Sequence, residues 1–136
     1  MKIEGRIVKS GKWWAAEVPM LLTYTQGQTK KEAYAMIKEA IECLVDEPGF
    51  SVEVSPGNEK GTICIAASDD RTLMAFALKQ QCAEHCLSVR DVARNLGSKS
   101  PTAYSRYESG RVGLTLDKFS QLLRAIDPGL EPVLKF

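Results

Sequence analysis

The stretch from Leu87 to Gly110, LSVRDVARNLGSKSPTAYSRYESG, constrains the fold of this chain more than any other. Ser88 and Asp91 have the S-x-x-D spacing of a capping box, in which each side chain bonds a backbone N–H group at the start of a helix. Gly97 favours the left-handed conformation that ends such a helix. Pro101 can then open a second helix, where its missing N–H does no harm. The stretch therefore predicts two short helices joined by a tight turn.

The second helix of this pair is predicted to have a short, polar and basic outer face. Ser100 is its expected cap, and Tyr104 and Tyr107 face inward because they lie three residues apart. The small side chain of Ala93 lets the two helices cross closely. This is the geometry of a helix-turn-helix, which places its second helix in the major groove of DNA. The residues expected to contact DNA are Lys99, Ser100, Thr102, Ala103, Ser105, Arg106 and Arg111.

The same stretch resembles the XRE (phage-repressor-like) helix-turn-helix family over roughly residues 73–126. The resemblance rests on the string L-S-x-x-D-V-A-x-x-L-G from Leu87 and on the ending S-R-Y-E-S-G-R from Ser105. It implies that the C-terminal half binds double-stranded operator DNA and regulates transcription, in most cases as a repressor.

Two departures from the family pattern affect the predicted contacts. The segment between Gly97 and Glu108 is one residue longer than usual, which can shift contacts at the start of the second helix. The family often pairs its glutamate with an arginine of an earlier helix, where this chain has Cys82. Lys79 or Arg111 is therefore the expected partner of Glu108.

Charge is distributed unevenly along the chain. Residues 1–68 contain eight Lys and Arg against nine Asp and Glu, whereas residues 69–136 contain ten against eight. Residues 90–111 alone contain five basic side chains and two acidic ones. Phosphate binding needs such a local excess of positive charge. A solvated helix face could produce much of the same pattern.

Composition places the chain in an ordinary class of proteins. Apolar residues make up 44% and charged residues 26%, and no apolar run is long enough to span a membrane. The N-terminal residues do not resemble a signal peptide. The four cysteines lack a paired spacing, so reduced thiols in a cytoplasmic protein are expected.

The first half of the chain predicts a small antiparallel sheet covered by one helix. Strands are expected at 3–8, 12–18, 21–26, 50–54 and 62–66, in the order β-β-β-α-β with a possible fifth strand, and a hairpin turn is expected at Ser10-Gly11. An amphipathic helix is expected from Lys30 to about Val45, capped by Thr29, with Glu42 in water. Its inward residues are Ala33, Ile37, Ala40, Ile41 and Leu44. The predicted fold class is therefore α+β, with domains at 1–68 and 69–136.

This N-terminal half resembles the HicB antitoxin domain over roughly residues 1–56. The recognisable string is T-Q-G-x-T-x-x-E-A from Thr25, which follows an aromatic strand ending in Glu17-Val18-Pro19. The resemblance implies a degenerate ribonuclease-H-like fold that binds a small HicA-like ribonuclease toxin. Many members have a D-L-P-G-C-like turn after the proline, where this chain has Met-Leu-Leu-Thr-Tyr from Met20.

Three aromatic residues are candidates for contact with that toxin. Trp13 and Trp14 are adjacent, so on a strand they point to opposite faces, and one can enter the core. The other is either packed under its own chain or buried by a partner, because tryptophan is enriched at interface hot spots. Tyr24 completes the predicted toxin-binding set.

Enzymatic activity and metal binding are not expected. Two-metal phosphodiester cleavage needs converging carboxylates, whereas the helix glutamates Glu39 and Glu42 are predicted to face solvent. Cys82 and Cys86 could share a helix face beside His85, but buried thiols that pack as small hydrophobes are the favoured interpretation. We expect no cofactor and no metal.

The sequence supports two functional hypotheses. The first is a HicA/HicB-type antitoxin that neutralises a ribonuclease toxin and represses its own operon. The alternative is a stand-alone XRE-family regulator whose N-terminal domain senses a ligand or oligomerises. Either protein is expected to be a dimer or tetramer, through sheet edges or through an apolar C-terminal tail containing Val133, Leu134 and Phe136.

Overall fold

The computed structural model describes residues 1–97 and 101–133. The chain divides into two compact units, Met1–Leu73 and Met74–Phe136. The first contains an antiparallel sheet and a helix, and the second is helical, so the predicted α+β class is confirmed. The sequence places the boundary near Ser68, just before a helix, whereas the division into units falls inside that helix.

The first unit contains a five-stranded antiparallel sheet, including the strand that the sequence left open. The strands are β1 (Ile3–Ser10), β2 (Trp13–Val18), β3 (Thr23–Gly27), β4 (Val52–Pro56) and β5 (Thr62–Ala67). Their order across the sheet is β3-β2-β1-β5-β4, with β3 and β4 at the edges. Alternate residues such as Ile7, Ile63 and Ile65 are buried and form one face of the sheet, on which the helix of this unit packs.

Two turns of the first unit differ from the predicted ones. The hairpin turn is Gly11–Lys12, not Ser10-Gly11, because Ser10 still pairs with Trp13 and Gly11 adopts a φ of 59°. After β2 the chain forms a 3-10 turn, Pro19–Leu21, and Leu22 then takes a left-handed φ of 49°. The third strand therefore starts later than expected.

Helix α1 (Lys30–Val45) covers one face of the sheet. Thr29 caps it by accepting a hydrogen bond from the Glu32 N–H, as predicted. Ala33, Ile37 and Ile41 are fully buried beneath it. Leu44, which belongs to the same inward stripe, is 53% exposed, so its predicted burial is wrong.

A charged pair on α1 anchors the edge strand β4. Glu42 Oε1 accepts hydrogen bonds from the Val52 N–H (2.9 Å) and from Lys38 Nζ (2.6 Å), and Lys38 Nζ also reaches the Val52 carbonyl oxygen at 2.6 Å. The Lys38 ammonium and the Val52 N–H lower the pKa of Glu42. Glu42 is thus a structural residue, contrary to its predicted position in water.

The remaining helices are α2 (Asp70–Glu84), α3 (Val89–Asn95), α4 (Thr102–Glu108) and α5 (Leu116–Ile126). Asp69 begins α2 by accepting hydrogen bonds from the Arg71 N–H and the Thr72 hydroxyl. Apolar side chains of the helices fill the core of the second unit: Ala75, Phe76, Ala77, Leu78, Val92, Phe119, Leu122, Leu123 and Ile126. Leu116, predicted to join them, is 49% exposed in the first turn of α5. No helix in the described ranges is long and apolar enough to cross a membrane.

Candidate DNA-binding site

Helix α3 begins and ends as its sequence predicts. The Ser88 side chain accepts from the Asp91 N–H at 3.1 Å, and Asp91 Oδ2 accepts from the Ser88 N–H at 2.8 Å, which completes the capping box. Gly97 follows the helix with a φ of 76°. Val92 and Ala93 are buried, and α3 packs against both α4 and α5.

Four of the residues predicted to contact DNA lie on the outer face of helix α4. Thr102, Ala103, Ser105 and Arg106 are all exposed, whereas Tyr104 is buried with 1% exposure. Tyr107 is only half-buried. The helix begins at Thr102, and Pro101 occupies its N-cap position. Lys99 and Ser100, the other two predicted contacts in this region, lie outside the described residues.

The end of α4 fixes the position of Arg111. The Arg111 N–H donates to the Arg106 carbonyl oxygen, the Gly110 N–H donates to that of Tyr107, and Gly110 has a φ of 75°. This is a Schellman motif, which closes the last turn of a helix with a left-handed residue. Arg111 is exposed and lies one closed turn beyond Arg106. Among the described residues, neither arginine forms an ion pair, so both guanidinium groups are available to an anion.

A buried polar contact holds α4 against α2. The Tyr104 hydroxyl lies 2.7 Å from Cys82 Sγ, and both side chains are buried. Burial raises the pKa of both groups, so the contact joins a neutral phenol and a neutral thiol. Sequence reasoning identified Tyr104 as inward and Cys82 as replacing an arginine, but it did not predict that they meet.

Glu108 lies beside this contact. Burial raises the pKa of its carboxyl group, and the nearby charge of Lys79 opposes that shift. Lys79 is thus near enough to influence the charge of Glu108, but among the described residues it forms no ion pair with that carboxylate. No ion pair joins Glu108 to Arg111 within the described part of the chain.

Helix α5 contacts both α3 and α4. Thr115 caps it, as predicted, by accepting from the Lys118 N–H. The Asn95 side chain at the end of α3 donates to the Ala125 carbonyl oxygen at 2.8 Å. Lys118 Nζ lies 5.6 Å from the centre of the Tyr107 ring. Together with the core, these contacts pack α5 against α3 and connect it to α4.

The three aromatic residues predicted to bind a toxin do not form one surface. Trp13 (43% exposed) and Tyr24 (62% exposed) lie on the face of the sheet opposite α1. Trp14 points to the other face, where Lys9 Nζ and Lys30 Nζ lie 6.0 and 5.8 Å from its ring centre. Trp14 is half-buried on the α1 side of the sheet, so Trp13 is the tryptophan that faces outward.

The cysteine-histidine cluster does not have the geometry of a metal site. Helix α2 ends at Glu84, and Cys86 lies beyond it with a φ of 54° and an exposed side chain. Cys82 and Cys86 therefore do not share a helix face. His85 instead bonds the Gln81 carbonyl oxygen (2.8 Å) and Asp127 Oδ2 (3.0 Å). Residues 1–97 and 101–133 contain no group of three or more side chains that could hold a metal.

Comparison with known proteins supports the interpretation of the second unit. Residues 78–127 match the family model described as Helix-turn-helix, which covers the end of α2 and all of α3, α4 and α5. No curated protein matches the chain. The capping box, the exposed face of α4 and the family match agree on the same segment. Residues 78–127 are an XRE-type helix-turn-helix domain, the DNA-binding module of a transcription regulator.

Proposed function

We propose that this protein is a cytoplasmic, non-enzymatic antitoxin of the HicA/HicB type, which represses its own operon through the helix-turn-helix domain. The first unit would bind a small ribonuclease toxin, and the second would bind operator DNA. The observation that carries the proposal is the order of the two units, a sheet with one covering helix followed by a DNA-binding domain. This is the order that the HicB resemblance implies.

The motif behind that resemblance has a clear role in the first unit. At Gly27 an added Cβ would lie 2.6 Å from the Ala33 backbone nitrogen, so only glycine lets the strand pass so close to α1. Glu32 Oε2 accepts from the Gln28 N–H at 3.0 Å, and Thr29 caps the helix. The string T-Q-G-x-T-x-x-E-A therefore builds the connection from β3 to α1. This structural role supports a similarity of fold between the first unit and the HicB domain. The antitoxin function is inferred from that similarity.

A stand-alone XRE regulator is the competing function, because the family match at residues 78–127 supports it equally. The two functions differ in what the first unit binds. An antitoxin requires a toxic protein partner, whereas a regulator requires a ligand or only a second copy of the chain.

The deciding experiment is co-expression with the product of a small open reading frame beside this gene. An antitoxin restores growth to cells that express that product and copurifies with it. If no neighbouring product is toxic, or if the intact chain gives no protection, the antitoxin proposal fails and the regulator remains. Repression of a reporter from the gene's own promoter is expected under both functions.

A further inference from the structure

Leu44 is the most anomalous side chain of the first unit. It lies three residues after Ile41 and seven after Ile37, which places it on the inward stripe of α1. Ile37 and Ile41 are fully buried, yet Leu44 is 53% exposed. The core-facing stripe thus continues past the part of α1 that the sheet covers.

Further apolar surface lies along the adjacent flank of α1. Met36 is 39% exposed, Ala40 is half-buried and Cys43 is exposed. These residues and Leu44 are spaced three, four, seven and eight positions apart, so they share one side of the helix. We call these four residues the α1 flank. Exposed apolar side chains grouped on one side of a helix favour contact with another protein.

The charges around the α1 flank show which kind of protein it suits. Glu39, Asp46 and Glu47 are exposed beside it, and none of them forms an ion pair with a described residue. Lys38 does not offset them, because its ammonium group is held by Glu42 and by the Val52 carbonyl oxygen. The rim of the flank is therefore acidic.

The acidic rim is unfavourable for the helix itself. A helix carries partial negative charge at its C-terminal end, which favours basic side chains there. Helix α1 has Lys30 and Lys31 in its first turn, whereas its last turn has no basic residue and is followed by Asp46 and Glu47. Natural proteins break such local rules mainly at functional sites.

The aromatic end of the unit has the opposite charge. Lys9 and Lys30 lie over Trp14, and Lys12 occupies the hairpin turn next to Trp13. A basic partner would be repelled at this end and attracted to the acidic end.

We propose that the α1 flank, centred on Leu44, is the surface on which the first unit binds a basic protein, and that this protein is the ribonuclease toxin. The inference rests on the proposed antitoxin function. The partner inserts an apolar side chain beside Leu44 and surrounds it with Lys and Arg that pair with Glu39, Asp46 and Glu47.

Cys43 provides a probe within the surface. The intact chain is treated with N-ethylmaleimide, alone and in complex with the neighbouring gene product, and each cysteine is followed by mass spectrometry. Complex formation is expected to protect Cys43 strongly. Cys86, exposed in the second unit, is the internal control and keeps its rate. Unchanged labelling of Cys43 in a saturated complex would overturn the proposal.

Substitutions test the same surface by affinity. Leu44→Asp is expected to weaken binding of the toxic product by about tenfold or more, as loss of a central apolar contact does. Glu39→Lys combined with Glu47→Lys is expected to slow association and reverse its dependence on salt. The matched control is Val8→Asp, because Val8 is 59% exposed on the sheet face opposite α1 in the same unit. Circular dichroism establishes that each variant is folded.

The outcomes separate the two levels of the proposal. If the intact chain neither binds nor neutralises the neighbouring product, the antitoxin function fails and this surface assignment fails with it. If the intact chain protects cells and Leu44→Asp protects equally well, the function stands and the surface is wrong. Protection of Cys43 in the chain alone, increasing with its concentration, would assign the flank to a second copy instead and overturn the proposal.

Discussion

Arg106 is the side chain best placed to read a base. It lies on the exposed face of α4, forms no ion pair with a described residue, and can bond guanine O6 and N7 together. Arg106→Ala is expected to weaken operator binding by about 1–3 kcal/mol and to relax preference at one base pair. Titration of operator and random DNA by fluorescence anisotropy measures both effects.

The control for this measurement is Arg124→Ala, which removes an exposed arginine from α5, outside the α3–α4 pair. Arg124→Ala should leave the discrimination between operator and random DNA unchanged. Equal losses on both DNAs for Arg106→Ala would show that Arg106 contacts phosphate and does not read a base.

Cys86 is held in an unfavourable backbone conformation. It occupies the left-handed position after α2, where its N–H donates to the Ala83 carbonyl oxygen and the Leu87 N–H donates to that of Cys82. Glycine is the usual residue there because it has no Cβ. Cys86→Gly is expected to raise the free energy of unfolding by about 0.5–1 kcal/mol, measured by urea denaturation. A loss of stability would mean that the exposed thiol makes a compensating contact.

At the level of elements, His85 joins the end of α2 to the end of α5. Its hydrogen bond to the Gln81 carbonyl oxygen raises its pKa most, and Asp127 raises it further, against the effect of burial. A raised pKa means that folding favours the protonated imidazole. The stabilisation is therefore fully present below about pH 6.5, the unperturbed value, and is lost as the pH rises through the raised value.

This linkage predicts a measurable dependence of stability on pH. In wild type, the midpoint of urea denaturation should fall as the pH rises from about 6.5 through the raised pKa of His85. His85→Gln should flatten the curve, and Asp127→Asn should reduce its slope while leaving an oxygen for the Gly129 N–H. An unchanged slope in His85→Gln would assign the dependence to other groups.

At the level of the whole molecule, assembly is the main expectation. A single helix-turn-helix contacts one half-site, and two half-sites on one DNA face are about 34–36 Å apart. Exposed apolar side chains of the second unit, including Val112, Leu116 and Val133 (36, 49 and 76% exposed), offer one route to a dimer. Leu134 and Phe136, also predicted to contribute, lie outside the described residues.

Sedimentation of the intact chain at micromolar concentration is expected to show a dimer or tetramer. Leu116→Asp should shift the equilibrium toward monomer if the second unit mediates assembly. The edge strand β3 is the other candidate, and Gln26→Pro would block pairing there, because the Gln26 N–H faces the open edge in this register. A monomer that still binds a palindromic operator tightly would contradict the expectation.

The sequence by itself determined the elements whose causes are local. Capping residues such as Ser88, Thr29 and Thr115 act on backbone groups three residues away, so their helices begin where the spacing predicts. The outer face of α4 was equally predictable, because helical periodicity separates Tyr104 from Arg106 without reference to the rest of the chain.

The tertiary structure decided which distant side chains contact each other and how much of α1 the sheet covers. Leu44 has the periodicity of a core residue, but its burial depends on whether the sheet extends beneath it. The spacing of Glu42 on α1 predicts a surface charge, but the folded chain brings the Val52 N–H of β4 within hydrogen-bonding distance of it. Cys82 contacts Tyr104 because α4 packs on α2. Trp14 likewise lies beside Lys9 of the paired strand β1 and Lys30 at the start of α1. These contacts join residues far apart in the chain, so no local pattern encodes them.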